Sequence, residues 1–177
     1  MPAQVRRLLT EPDGIDSLLA CATILVGGAG LDSALREAAA AQGISLISTY
    51  GMTETCGGCV YDGVPLSGVT VSIDAHSRVT LGGPSIALGY RNQPALTSAH
   101  FTDAGFLTSD LGEIAHGMLR IIGRADDVVT VNGVNVSVTA IESVLRTDPT
   151  VADCAVVPVD DPVRGSRLIA FICGTSC

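Results

Sequence analysis

Tryptophan is absent from this 177-residue chain, and aromatic residues make up only 3% of it. That leaves too few rings for a surface that stacks nucleic-acid bases. Positive charge is scarce as well: ten basic residues stand against eighteen acidic ones, for a formal net charge of −8. Such a balance opposes phosphate backbones and anionic membrane surfaces. No nucleic-acid partner is expected, and any nucleotide bound should be small and held in a local pocket. Long apolar runs are missing too. "ATILVGGAG" is too short to span a membrane and ends in glycines, so no membrane insertion is expected. "MPAQVRRLLTEPDG" lacks the apolar core and small-residue cleavage site of a signal peptide. A cytoplasmic setting is expected, where the six cysteines read as free thiols.

Metal-ligand and dinucleotide patterns are also incomplete. "CGGC", Cys56 to Cys59, has the spacing of a redox or zinc pair, but no second CxxC or HxxxH follows. Its flanking glycines disfavour the helix start that a redox pair wants, so it reads as small residues lining a loop. "GGAG" at 27–30 lacks the full GxGxxG spacing, which makes a Rossmann-like oxidoreductase module improbable. The scattered His76, His100 and His116 read as surface residues.

Apolar residues are plentiful, at 47% of the chain. "ACATILVGG", Ala20 to Gly28, reads as a buried strand that stops at glycines. "LDSALREAAAAQG" reads as a helix ending at a Gly43 cap, and "ISLIS" as a second strand. The stretch "STYGMTETCGGCVYDG", Ser48 to Gly63, then reads as a Gly-rich loop at that strand's carboxyl end, where α/β folds place ligands. Its bare backbone and Thr hydroxyls suit a phosphate, and its carboxylate suits Mg²⁺; a plain connecting turn is the bland alternative. From Gly63 to about Ile122 short β-type runs without a convincing helix predict a compact β subdomain. Beyond it, "VVTVNGVNV" predicts a hairpin turning at Asn132-Gly133. "SVTAIESVLRT" predicts a helix capped by Ser137 with Pro149 beyond its end, and "VADCAVVPV" and "RLIAFIC" predict two more strands. The fold class expected is α/β, mixed with α+β. An α/β segment over 1–62 and a β-rich subdomain over 63–124 form a larger unit, followed by a small α+β unit over 125–177.

Four polar clusters stand in order: "GGAG" (27–30), "YGMTET" (50–55), "TSD" (108–110) and "GRADD" (123–127). Each is weak alone. Together, and with "GGPSIALGYRN" between the second and third, the pattern resembles the adenylate-forming acyl-CoA synthetase family over essentially the whole chain. The resemblance implies ATP-dependent activation of a small carboxylate as acyl-adenylate, followed by transfer to CoA. It also implies ATP/AMP and Mg²⁺ as cofactors and CoA as co-substrate. Tyr50, with Gly51 and Met52 beside it, would meet the adenine, and Thr53 the α-phosphate. Glu54 would hold Mg²⁺, Asp110 the ribose hydroxyls with Arg124 also reaching them, and Gly27, Gly28 and Ala29 the adenine and acyl group through backbone. Asp126 falls where the family hinges, so Thr53, Glu54 and Asp126 are the candidate catalytic residues. Tyr50, Thr53, Glu54 and Asp110 are expected to line one cleft.

Two family parts are not found: the STGTTGxPKG-type phosphate loop, and the late lysine that contacts the reacting carboxylate. Thr130 also stands where some relatives carry a lysine. The chain thus reads as part of a ligase, inactive alone, with a non-catalytic nucleotide-binding remnant as the alternative.

Overall fold

The computed structural model describes residues 1–148, 150–161 and 165–174. Pro149, the expected stop after the capped helix, and the end of the "GTSC" tail lie outside the described residues. Two compact units are distinguished. One comprises Met1–Ser72, Thr80–Leu107 and Ile114–Arg120; the other comprises Ile73–Val79, Thr108–Glu113 and the described part of Ile121–Cys177.

The first unit opens with two helices, α1 (Pro2–Leu9) and α2 (Pro12–Leu19), which composition did not reveal. Each has proline at its first position, where the ring's fixed φ suits a helix start and the missing N–H costs nothing. Strand β1 (Ile24–Val26), helix α3 (Ser33–Ala41) and strand β2 (Leu46–Met52) follow, and β1 and β2 pair in parallel. The start of α3 is fixed by Asp32, whose carboxylate accepts the Leu35 N–H at 2.8 Å. Its end is fixed by Gly43, at φ +76°, with N–H bonds from Gly43 to Ala40 and from Ile44 to Ala39. This is the paired closure that a left-handed residue makes possible. Val5, Leu18, Val26, Leu35, Ala39, Ile44 and Leu46 form the core here. Each large side chain buried in it contributes about 1.5–3 kcal/mol.

The expected Gly-rich loop is instead a β-hairpin. β2 runs through Ser48, Thr49, Tyr50 and Gly51 to Met52, a 3₁₀ turn spans Thr53–Thr55, and β3 (Gly57–Tyr61) returns antiparallel. Short β4 (Val64–Pro65) extends the sheet, in the order β1-β2-β3-β4. Glycine looked like loop chemistry, but here it serves strand pairing. A Cβ on Gly51 would stand 2.0 Å from the Gly57 carbonyl oxygen, so only glycine lets the two strands meet at this bulge.

A second sheet has the order β5 (Thr70–Ile73), β6 (Arg78–Gly82), β8 (Gly105–Ala115), β7 (Phe101–Thr102), and β9 (Met118–Arg124) also pairs with β8. Phe106, Thr108, Asp110 and Gly112 alternate as the buried positions of β8. The expectation of a helix-free segment is corrected by α4 (Pro94–His100). This helix buries no residue, so it carries no apolar periodicity to detect. His76 and His116 are exposed as expected, but His100 is half-buried. Its Nδ1 lies 3.0 Å from the Leu107 carbonyl.

In the second unit the hairpin β10 (Val128–Val131) and β11 (Val134–Ser137) turns at Asn132 and Gly133, both at positive φ. Helix α5 (Val138–Leu145) follows, its N-terminus closed by the Ser137 hydroxyl, which accepts the Ala140 N–H at 3.2 Å. β12 (Val151–Asp161) and β13 (Gly165–Gly174) pair antiparallel and complete a sheet of order β11-β10-β13-β12. Glu142 ties α5 to that sheet by accepting the Val156 N–H at 2.8 Å.

Candidate active site

In the first unit the 3₁₀ turn of the hairpin presents Thr53 and Glu54. Buried Thr55 pins that turn: its hydroxyl accepts the Met52 N–H at 2.9 Å and donates to the Gly57 carbonyl at 2.6 Å. Thr53 is exposed and Glu54 half-buried. The segment Gly82–Tyr90 closes over Glu54 twice. Ala87 donates its N–H to the Glu54 carbonyl at 2.8 Å, and the Tyr90 hydroxyl donates to Glu54 Oε1 at 2.6 Å. The Glu54 hydrogen bond, then burial, then the carboxylate charge push the Tyr90 hydroxyl up to about 12. Tyr90 is held in turn by its N–H, which donates to Thr97 Oγ1 at 2.9 Å, and by the Phe101 ring at 5.3 Å, nearly perpendicular. Tyr90 lies within "GGPSIALGYRN", a stretch in which no local pattern marks it as a partner of Glu54.

Tyr50 lies half-buried in β2, paired with Val60, with Gly51 and Met52 completing the strand before the turn. Gly27, Gly28 and Ala29 follow β1 directly. A Cβ on Gly27 would lie 2.4 Å from Thr49 Oγ1, and Gly28 has φ +80°. The chain turns sharply there, with bare backbone beside the second parallel strand.

In the second unit Asp110 is 8% exposed. Its N–H donates to Thr108 Oγ1 at 3.0 Å, and that hydroxyl donates to the Val79 carbonyl at 2.8 Å. Arg78 adds a fork onto the Thr108 carbonyl, from Nε at 3.2 Å and Nη2 at 2.6 Å. Arg124 stands between two carboxylates. It approaches Asp110 at 3.6 Å and forks onto Asp126 at 2.9 and 2.6 Å. The Asp126 partner raises the Arg124 guanidinium, and Arg124 holds Asp126 below the ordinary carboxylate range. Because both are about half exposed, with side-chain accessibilities of 49% and 55%, the pair contributes about 0.2–1 kcal/mol.

The structure thus brings Tyr50, Gly51, Met52, Thr53 and Glu54 together on one hairpin, and Asp110, Arg124 and Asp126 together in the second unit. The "CGGC" pair divides, with Cys56 exposed and Cys59 buried. Burial pushes the Cys59 thiol up, away from the thiolate that redox or zinc chemistry needs.

The donor set suits one kind of metal. Among the described residues no group of three or more His, Cys, Asp or Glu side chains gathers for a protein-built cage. Glu54 offers one hard carboxylate whose Oε2 takes no hydrogen bond among the described residues. A single carboxylate fits Mg²⁺, which keeps its waters and shares substrate phosphates, better than it fits zinc.

Residues 140–175 match the AMP-binding enzyme C-terminal domain. The chain is 40% identical over 180 residues to a probable 2-succinylbenzoate–CoA ligase of Mycobacterium tuberculosis, covering 99% of this chain and 46% of the relative. It is 34% identical to the 2-succinylbenzoate–CoA ligase of Escherichia coli, over 97% of this chain and 39% of that protein. Among solved structures it superposes on an E. coli MenE variant with bound OSB-AMS at TM-score 0.84 and 32% identity, covering 98% of this chain and 39% of that one. Bacillus subtilis MenE in complex with ATP and magnesium ion aligns at TM-score 0.76 and 25% identity, over 91% of this chain and 40% of that one. The fold is that of the C-terminal part of an acyl-adenylate-forming enzyme. Within that class the named relatives are 2-succinylbenzoate–CoA ligases, and the chain spans less than half the length of those it matches. Among the described residues no helix is long and apolar enough to cross a membrane.

Proposed function

We propose that this chain carries the nucleotide-reading part of an ATP-dependent acid–thiol ligase, one that converts 2-succinylbenzoate to its CoA thioester in menaquinone biosynthesis. The observation that carries the reading is the Thr53–Glu54 turn, held open-faced by Thr55, Ala87 and Tyr90. In the first step a substrate carboxylate oxygen attacks the α-phosphorus of ATP and pyrophosphate leaves. In the second the CoA sulfur attacks the acyl carbon and AMP leaves. Thr53 donates to the α-phosphate, Tyr50 stacks on the adenine, and the backbone of Gly27–Ala29 lines the adenine and acyl groups. Asp110 accepts from the ribose hydroxyls, and Arg124, already beside Asp110, reaches the same sugar. Glu54 holds Mg²⁺, which neutralises charge on the phosphate oxygens when bound.

The boundary falls at Arg124 to Asp127, between a 1–124 portion and a mobile 125–177 portion. Asp126 is the hinge, where a few residues absorb the backbone change between half-reactions, and the Val131–Val136 turn faces the pantetheine. A cytoplasmic setting fits the unpaired thiols of Cys21, Cys56 and Cys59.

All ten basic residues are arginine, so the chain contains no lysine to contact the reacting carboxylate. That favours a second reading for the chain on its own: nucleotide binding without adenylation. The test is a chimera in which this chain replaces the matching part of the M. tuberculosis relative. Thioester formation from 2-succinylbenzoate, reduced about a hundredfold or more by Glu54→Ala, is expected. A chimera equally active with Glu54→Ala would refute the assignment.

A further inference from the structure

We propose that Tyr90 is a positioning residue that makes Glu54 a single-oxygen metal ligand and so sets a preference for Mg²⁺ over larger cations. The inference rests on the reading of Glu54 as the Mg²⁺ ligand and extends it to a residue 36 positions away. The contact is short and charge-assisted, 2.6 Å from the Tyr90 hydroxyl to Oε1. It occupies one carboxylate oxygen and fixes the plane of the group, leaving Oε2 without a hydrogen bond among the described residues.

Tyr90 can impose that geometry because it is itself immobilised. Its N–H is tied to Thr97 Oγ1, and the same hydroxyl donates to the Gln93 carbonyl at 2.9 Å, locking the turn into α4. Phe101 and His100 pack edge-on against the ring at 5.3 and 6.4 Å. The Ala87 N–H on the Glu54 carbonyl fixes the backbone of the same residue. Helix α4, which buries no residue of its own, thereby acts as the mount for the tyrosine. Mg²⁺ demands near-ideal octahedral geometry with single oxygens at short distance, whereas Ca²⁺ accepts bidentate carboxylates and irregular shells. A Glu54 free of Tyr90 can rotate and offer both oxygens, which serves Ca²⁺ and not Mg²⁺.

The test uses the 177-residue chain, a fluorescent ATP analogue, and titrations with Mg²⁺, with Ca²⁺ and in EDTA. Tyr90→Phe keeps the ring packing and deletes only the hydroxyl. It is expected to raise the Mg²⁺ half-saturation about tenfold, the scale of losing a group that orients a metal ligand, with a smaller change for Ca²⁺. Nucleotide affinity in EDTA should stay within about twofold, which a general loosening of the fold would not allow. Tyr90→Phe with both metal responses unchanged, while Glu54→Gln abolishes them, overturns the inference and leaves the reading of Glu54 intact. Binding by the unsubstituted chain that ignores Mg²⁺, or no binding at all, overturns the reading of Glu54 and the inference with it.

Discussion

Replacing Gly51 with alanine puts one methyl group where two strands cross. The added Cβ would lie 2.0 Å from the Gly57 carbonyl oxygen and 2.8 Å from both the Gly57 carbonyl carbon and the Gly58 Cα. All three are backbone atoms of β3 and cannot swing aside as a side chain would. Relief requires one strand of the hairpin to move by about an ångström, and forced overpacking of this kind costs about 1–3 kcal/mol. The backbone at Gly51 is not in the left-handed region, so alanine also removes freedom from the unfolded chain, a gain of about 0.4–1 kcal/mol. Sterics win, and the net expectation is a loss of about 1–2 kcal/mol. Gly30→Ala isolates the entropic part, because nothing lies within 4 Å of its Cβ position and its φ is ordinary; it should be neutral or slightly stabilising. Urea unfolding followed by circular dichroism reads both variants, as a lower midpoint for Gly51→Ala at unchanged slope. A Gly51→Ala midpoint equal to that of the unsubstituted chain would mean that the bulge yields freely, and would refute the argument that strand pairing dictates this glycine.

Acid should weaken the tie between α3 and the turn that joins β3 to β4. Arg36, together with Ser48 N–H and hydroxyl bonds, holds Asp62 down to about 2, below its ordinary 3.8. A depressed carboxyl contributes stability above its unfolded value and loses it as pH falls through the folded one. The urea midpoint should therefore drop between about pH 4 and 2 and drop less in Asp62→Asn, and parallel curves would count against the pair. In the chimera, Asp126→Pro fixes φ at the proposed hinge and should slow thioester formation far more than adenylate formation; equal losses would point to a folding role. The isolated 177-residue chain should exchange pyrophosphate into ATP no faster than its Glu54→Ala variant, because preorganised donors worth about a hundredfold or more each are missing.

Elements whose chemistry is local were legible. The Asn132-Gly133 turn demands two positive φ values that those residues tolerate, and Ser137 and Gly43 close helix ends by bonds within a few residues. The hairpin at Ser48–Gly63 was misread as a loop because the need for Gly51 comes from Gly57 across the strand pair, not from its neighbours in sequence. α1, α2 and α4 have eight, eight and seven residues, too few for a period to stand out. For the site, the order of the polar clusters pointed to the residues proposed to face a nucleotide. The contact between Glu54 and Tyr90 links segments 36 residues apart, and no spacing rule joins a carboxylate to a phenol over that distance.

The alternation along β8 bears on what this chain can tolerate over evolutionary time. Asp110 shares the buried side of the strand with Phe106, Thr108 and Gly112. The strand that keeps Phe106 in the core therefore also aims the carboxylate proposed to read ribose. Inserting or deleting one residue between Phe106 and Asp110 would move the two onto opposite sides of the strand. One of them must then be lost, whichever register the strand adopts. Frame-preserving length changes should be purged from β8 even in lineages where catalysis has ceased to matter, for as long as the fold itself is kept. The Asp126 side chain, exposed and paired at the surface with Arg124, has no such protection and is free to drift as soon as its use ends.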